Sequence, residues 1–351
     1  MRPTIRVAET DLLHFAQALL AAAGASEENA RDAAEIFVEA DLKGVGPQGV
    51  DYLYYIVDSL KRGLIDGRAR PRLARETAST ALIDGQRGFG QPAALMAVEI
   101  ATAKARASGT ATVAIGNSTD IFMIGAYAER LAAQGLIGLV MTSGPPLVHP
   151  HGGTERVMST NPLAFAFPRA GSDPFVHDMA TSAYSSSRVR QAAYHGEQLA
   201  PGAGVGPDGV ATTDAATIRK GAIAPMAEHR GFGLGLAVAL LCGPLSGSGV
   251  GLDLGGWQHD GETQSQGHFV HAWDPAAFGD PAAFVAGCER YFAQIKASRK
   301  APGTTEIRIP GERAAAARRL QRQNGIEVLA ATWAKLGGYA RELGLAMPRT
   351  T

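Results

Sequence analysis

The sequence predicts an α/β fold with helical segments at both ends of the chain. Three observations carry this. Apolar residues follow helical spacing across residues 10–70. From Thr80 onward, short apolar runs alternate with helical stretches. After Pro281 the pattern returns to helix. At 351 residues the chain has room for roughly two domains at about 150 residues each, and for a core that needs no covalent staples.

Thr10 is placed to cap a first helix through Leu12, Phe15, Leu19 and Leu20 that ends near Gly24. Ser26 caps a second, with Glu27 and Glu28 favourable in its first turn and Ala30, Ala33, Ala34 and Phe37 along one face. A third covers Val50 to Arg62 and stops before Gly63, and Arg68 to Arg72 reads as a connector. Thr80 to Asp84, Thr112 to Ile115 and Leu136 to Met141 read as strands, alternating with helices over Gln91 to Ala107 and Ile121 to Gln134. Further strands are predicted at Pro162 to Phe167 and Gly267 to Ala272. Ala200 to Gly209 is rich in glycine and proline and predicts a flexible loop. Gly231 to Cys242 predicts a buried helix. Pro244 and the glycines after it interrupt the run before the about 20 apolar residues a membrane span needs. The C-terminal helices are predicted at Pro281 to Ser298, Glu312 to Arg322 and Ile326 to Leu343.

Lys plus Arg and Asp plus Glu both number 33, so the formal net charge is zero, which argues against non-specific nucleic-acid binding. The two cysteines, Cys242 and Cys288, exclude a disulfide framework and point to a reducing compartment. The N-terminal residues lack the apolar run of a signal peptide, so a cytoplasmic location is expected.

Gly85-Gln-Arg-Gly88-Phe-Gly90 follows a strand and precedes a helix, as a dinucleotide loop would. Its order is GxxGxG rather than GxGxxG, which favours a structural turn. His149-Pro-His151, even with His177 or Asp178, offers too few ligands at recognisable spacing for a metal, and no metal is expected. No GxSxG elbow supports a serine nucleophile. Arg318, Arg319 and Arg322 read as a solvated helix face. Small, polar and glycine residues crowd the turns at Ser159 to Pro162, Asp178 to Ser182, Thr212 to Asp214 and Arg230 to Gly233. Together these turns suggest a ligand cleft.

Taken in order, these motifs resemble the malate/L-lactate dehydrogenases of the second type, which also include ureidoglycolate and sulfolactate dehydrogenases, diketogulonate reductases and cyclic-imino-acid reductases. The resemblance runs over nearly the whole chain. It rests on Ala40-Asp-Leu-Lys-Gly44, Asp84-Gly-x-x-Gly-x-Gly90, Asn117-Ser118, Gly125-x-Tyr127, Pro150-x-Gly-Gly153, Thr160-Asn-Pro162, Asp178-Met-Ala-Thr-Ser182, Thr212-Thr-Asp214, Arg230-Gly-Phe-Gly-Leu234, Gly267-His-Phe269 and Ile309-Pro-Gly311. It implies a non-Rossmann fold with a helical part, here 1–75 and 281–351, and an α/β cofactor-binding part, here 76–280. It also implies a homodimer that holds NAD or NADP in a cleft near the partner subunit. Cofactor contacts would fall at Asp178, Met179, Ala180, Arg230 (where the family carries lysine), Gly311, Glu312 and Arg313.

The departures lie on the reactant side. The family's Ser-His-Gly-Val, followed by an arginine, stands here as Pro47-Gln48-Gly49-Val50-Asp51-Tyr52, so Gln48 replaces the histidine and Tyr52 the arginine. A second family histidine aligns with Asp120, and the family's Gly-Lys pair with Ser187-Arg188. Glutamine cannot supply a proton. Asp120 can, if burial raises its pKa, or it can pair with a cationic imine or amine. His149 or His151 could also replace the lost imidazole. The catalytic candidates are therefore Asp120, Gln48, Tyr52 and His149. The expected activity is an NAD(P)-dependent oxidoreductase acting on a small cyclic imine or amine, or an unusual 2-oxo or 2-hydroxy acid. The alternative is a cofactor-binding relative that catalyses elimination, isomerisation or cyclisation, or serves as a non-catalytic subunit.

Overall fold

The computed structural model describes residues 3–254 and 265–350. The chain runs β1 (Thr4–Val7), α1 (Glu9–Ala22), α2 (Glu27–Leu42), α3 (Leu53–Lys61), β2 (Arg72–Glu76), β3 (Thr80–Asp84), α4 (Gly90–Ser108), β4 (Thr110–Ser118), α5 (Gly125–Ala133), β5 (Ile137–Thr142), β6 (Leu163–Phe167) and β7 (Phe175–Met179). It continues α6 (Ser186–Tyr194), β8 (Gly204–Val205), β9 (Ala211–Thr212), α7 (Ala215–Lys220), β10 (Ala222–Ile223), α8 (His229–Cys242), β11 (Gln266–Trp273), α9 (Pro281–Ala297), α10 (Glu312–Asn324), β12 (Ile326–Leu329) and α11 (Ala330–Glu342).

A seven-stranded sheet in the order β2-β3-β4-β11-β5-β6-β7 is the centre of the molecule. Only β3 and β4 run parallel; the other neighbours are antiparallel. The inner strands bury Val113, Ile115, Val140 and Val270 completely, and α4 and α5 cover one face with alanines that let the helices approach closely. On the other face Val238 and Cys242 of α8 meet Met141, Leu163 and Phe269. A separate helical core joins α1, α2 and α3 to α11 and to a two-stranded β1–β12 ribbon, which ties the two chain ends together. A third, smaller core lies around α6, α7 and the β10-β8-β9 sheet.

Several expectations are corrected. Thr10 does not cap α1, because the chain enters the helix at Ala8 with no side-chain cap and Thr10 sits in the first turn. Ser26 does cap α2, accepting from Asn29 N. The predicted helix over Ile326 to Leu343 is split, since Ile326–Leu329 is drawn into the ribbon with β1. Part of the predicted flexible loop is β8, which pairs with β9 and β10. The Gly231–Cys242 helix forms, but it is not buried all round. Gly231, Gly235, Val238 and Cys242 make its covered face, while Leu234, Leu236, Leu240 and Leu241 remain exposed on the other side. No helix among the described residues is long and apolar enough to cross a membrane.

The predicted helix from Ile121 to Gln134 starts only at Gly125, and the four residues before it have a different role. Ile121, Met123 and Ile124 bury in the sheet core. Phe122 turns the opposite way, into the helical core, with its ring centroid 4.7 Å from Phe37 and 5.1 Å from Tyr52. A φ of +59° at Phe122 makes this reversal, an unfavourable conformation for an aromatic residue that only firm packing sustains. Phe122→Ala is expected to destabilise the fold by about 3–5 kcal/mol, read as a lowered urea midpoint. A loss below about 1 kcal/mol, the ordinary surface range, would contradict this role.

Candidate active site

The β4–α5 turn also begins the site. Gly85 and Gly90 are glycines for steric reasons: a Cβ on Gly90 would lie 2.3 Å from Thr119 O, and one on Gly85 2.7 Å from Ser118 Cβ. The GxxGxG segment is thus a structural turn packed on residues 117–121, as its glycine order favoured. Asp84 Oδ1 accepts from Gln86 N and from Asn117 Nδ2, both at 2.9 Å, and Gly90 N donates to Thr119 Oγ1 at 3.1 Å. From the far side, His268 of β11 lies 3.0 Å by Nε2 from Thr119 O and 2.7 Å by Nδ1 from Thr142 Oγ1. Burial lowers the His268 pKa to about 4, so the ring is neutral near pH 7. Nε2–H then donates to the Thr119 carbonyl and Nδ1 accepts from the Thr142 hydroxyl, a tautomer assigned from this pattern.

Beyond this clasp Asp120 faces a cavity of about 630 Å³. Asp120 Oδ1 accepts from Phe122 N at 2.8 Å, and burial pushes its carboxyl pKa up while the backbone donors of Phe122 and Ile121 partly oppose the rise. Gln48 and Tyr52 line the same cavity. They stand on two short 3-10 turns, Gly46–Gln48 and Val50–Tyr52, between α2 and α3. Buried Asp41 pins this stretch by accepting from Val50 N at 2.8 Å, and its carboxyl fills the space where a Cβ on Gly49 would stand. The Gln48 Oε1 is buried with no hydrogen-bond partner among the described residues.

Asp178, Met179 and Ala180, at the end of β7, line the cavity as well. The Asp178 carboxyl opens onto it with protein packed closely around, which raises its pKa to about 6 even though Gly125 N, at 2.7 Å, and the charge of Lys43 favour ionisation. Gly311 and Arg313 at the start of α10 complete the lining. Glu312 does not reach it. One of its oxygens is 2.6 Å from Lys296 Nζ, and the other accepts from Ile309 N.

Three predicted residues lie elsewhere. His149 and His151 belong to a smaller cleft of about 480 Å³, because the Val148 bridges to Met158 and Ile223 carry their loop towards the three-stranded sheet; the structure does not bring them to Asp120. Arg230 is exposed on the first turn of α8, outside the main cavity.

Other cavity residues were not named as site residues from the sequence, although Lys43 lies in the Ala40–Gly44 motif. Lys43 sits between Glu39 and Glu129, 2.5 Å from each. Burial would raise the Glu39 pKa, but Lys43 and Arg130 hold it below the usual range. Arg318, read as part of a solvated face, is instead largely covered, pairs with Glu129 and Asp173, and lines the cavity. Ser143 and Gly144 follow β5; a Ser-Gly-Pro-Pro turn directly after an apolar strand was the available signal. Among the described residues no group of three or more His, Cys, Asp or Glu side chains converges as a metal site.

A family model described as malate/L-lactate dehydrogenase matches residues 7–337. The chain belongs to this family. Among other members of the malate/L-lactate dehydrogenase family, it is similar to an L-sulfolactate dehydrogenase of Methanothermobacter thermautotrophicus, 31% identical over 97% of this chain and 98% of the relative. It is 35% identical to a Delta(1)-pyrroline-2-carboxylate/Delta(1)-piperideine-2-carboxylate reductase of Pseudomonas putida, over 97% of both. A malate dehydrogenase crystal structure from Entamoeba histolytica superposes with a TM-score of 0.94 at 25% identity, covering 99% of this chain and 100% of that one.

The cavity suits the nicotinamide dinucleotide that the family implies. Its volume lies in the roughly 300–1,000 Å³ range of ligand pockets. Gly44, Gly125, Gly144 and Gly311 keep stretches of its wall free of side chains, while Arg313 and the serines opening α6 offer donors to anionic oxygens. Because its pKa is raised from 3.8 to about 6, Asp178 binds more protons folded than unfolded across that interval. The wild type should therefore lose stability relative to Asp178→Asn as pH rises from 3.8 to about 6, and the difference should level off above. Denaturant titrations of both proteins across pH check this; a difference that is flat with pH would contradict it.

Proposed function

We propose that this chain is an NAD(P)-dependent oxidoreductase of a small cyclic imine or amine acid, or of an unusual 2-oxo or 2-hydroxy acid. The observation that carries the reading is that Gln48, Tyr52 and Asp120 share one cavity with Asp178, Met179, Ala180, Gly311 and Arg313. Asp178 to Ala180, Gly311 and Arg313 would hold the dinucleotide, with Arg230 and Glu312 as outer contacts. When bound, the reduced nicotinamide supplies a hydride to the carbon of a C=N or C=O bond.

The chain's own contribution is placement and the proton. With a raised pKa, Asp120 keeps its proton to a higher pH than an exposed aspartate and can pass it to an imine nitrogen. Once ionised, it faces the resulting cation with an opposite charge. Gln48 has an amide to hydrogen-bond the reactant but no proton to give. Tyr52, packed on Phe122, contributes a rigid wall. A carboxylate in place of an imidazole favours a cationic reactant, and this supports an imine over a plain 2-oxo acid. The reductase relative from Pseudomonas putida, named for two cyclic imino acids, points the same way.

We further propose that the protein acts as a homodimer. Leu234, Leu236, Leu240, Leu241 and, just past the helix, Leu245 leave an apolar surface on α8 that a second copy would cover.

Purified protein mixed with NADPH or NADH and a panel of Delta(1)-pyrroline-2-carboxylate, Delta(1)-piperideine-2-carboxylate, pyruvate and oxaloacetate should oxidise the dinucleotide fastest with an imine. No oxidation with any of them, despite measurable dinucleotide binding, would overturn the reading. Asp120→Asn keeps the acceptor for Phe122 N and should lower kcat by about 10²–10⁴-fold; unchanged turnover would remove Asp120 from the chemistry. Leu240→Asp should shift the protein from dimer to monomer in light scattering, and a monomeric wild type would contradict the dimer.

A further inference from the structure

The wall that carries Gln48 and Tyr52 has little regular structure of its own. Its two 3-10 turns are held by short-range backbone bonds, Gln48 N to Val45 O, Gly49 N to Gly46 O, Tyr52 N to Gly49 O and Leu53 N to Val50 O, and by Asp41 at Val50. Such turns are weak elements in isolation. One side chain from elsewhere in the fold grips this wall on both sides of Gln48. Arg190, on α6, donates through Nη2 to Asp51 Oδ2 at 2.8 Å and to Pro47 O at 3.3 Å. Its guanidinium lies 4.5 Å from the Tyr52 ring centroid and 5.8 Å from that of Tyr55. The other Asp51 oxygen accepts from Thr332 Oγ1 of α11 at 2.5 Å, so Asp51 joins α6 to the C-terminal helix through this wall.

Arg190 does not line the cavity, whereas Ser187, Arg188 and Gln191 beside it do. Its side chain is 15% exposed, so the ion pair and the ring contact are shielded from water and salt. Arginine suits the task because one planar group can bond a carboxylate and a carbonyl along its edge while lying on an aromatic face; lysine can keep the charge pair but not the rest.

We infer that Arg190 is the positioning residue of the reactant pocket: from behind the wall it fixes the Pro47–Tyr52 segment, and so sets where Gln48 and Tyr52 stand without touching the reactant. The Arg190 charge is thereby committed to the protein's own carboxylate, Asp51, and stays behind the wall rather than in the cavity. This inference rests on the proposed reading that Gln48 and Tyr52 face the reactant.

The test compares wild type, Arg190→Met and Arg190→Lys by three readouts. These are KM for Delta(1)-piperideine-2-carboxylate, Kd for NADPH by fluorescence titration, and hydrogen exchange of the amides in residues 46–52. Losing a charged hydrogen bond predicts that Arg190→Met raises KM by about tenfold or more. NADPH Kd should stay within about twofold, the scale of ordinary remote substitutions. Exchange should accelerate in 46–52 and not in the β4 and β5 amides, and Arg190→Lys should fall between wild type and Arg190→Met in KM and in exchange. Unchanged exchange in 46–52, or an acceleration spread evenly over the chain, overturns the inference. Faster exchange in 46–52 with KM unchanged and NADPH Kd weakened also overturns it, and assigns the failure to the reading that this wall faces the reactant.

Discussion

The turn from Asn117 to Phe122 is the constraint on which the site depends. It leaves the central strand β4, reverses at a left-handed Phe122, and sends neighbouring side chains into two different hydrophobic cores. Its polar groups are taken up by Asp84 at Asn117, by the Gly90 amide and His268 at Thr119, and by the Phe122 amide at Asp120. A buried donor or acceptor left alone costs about 1–3 kcal/mol, so these bonds favour a single arrangement of the turn. The Asp120 carboxyl is consequently held in place before any ligand arrives, the kind of preorganisation on which catalysis relies.

Around that fixed point the cavity is charged but largely self-neutralised. Lys43 is shared by Glu39 and Glu129, Arg318 by Glu129 and Asp173, and Arg188 pairs with Glu197. Asp120 and Asp178 are different: desolvation raises the pKa of each, against the backbone donors of Phe122 and Ile121 at Asp120 and of Gly125 at Asp178. Groups whose pKa is displaced by desolvation within a cavity are characteristic of sites where protons or charges are handled.

Much of this was legible in the sequence, for identifiable reasons. β3 was read at its observed bounds, because a short apolar run between turn residues has few alternatives, and Ser26 followed by two glutamates announced α2 correctly. The residues placed on the two sides of the cleft by resemblance, Asp120 with Gln48 and Asp178 with Gly311, do meet in one cavity. What escaped depended on distant partners. β1 and β12 are four residues each and exist through pairing between opposite chain ends. β2 is a charged edge strand with every residue exposed, so it lacks an apolar alternation. Arg190 belongs to no motif, and its relation to Tyr52 appears only when α6 is folded against the wall. The leucines of α8 were read as core because a helix apolar on all sides is usually buried. Within one chain only its glycine-lined side is covered.

The central claim is that one cavity takes a nicotinamide dinucleotide and presents its reactive end to Asp120. A crystal structure of the protein with NADPH tests this most directly. The account predicts the nicotinamide ring in the cavity between Asp178–Ala180 and the wall of Asp120, Gln48 and Tyr52, with phosphate oxygens near the opening turn of α10. A dinucleotide bound outside this cavity, or one whose nicotinamide points away from Asp120, would contradict it.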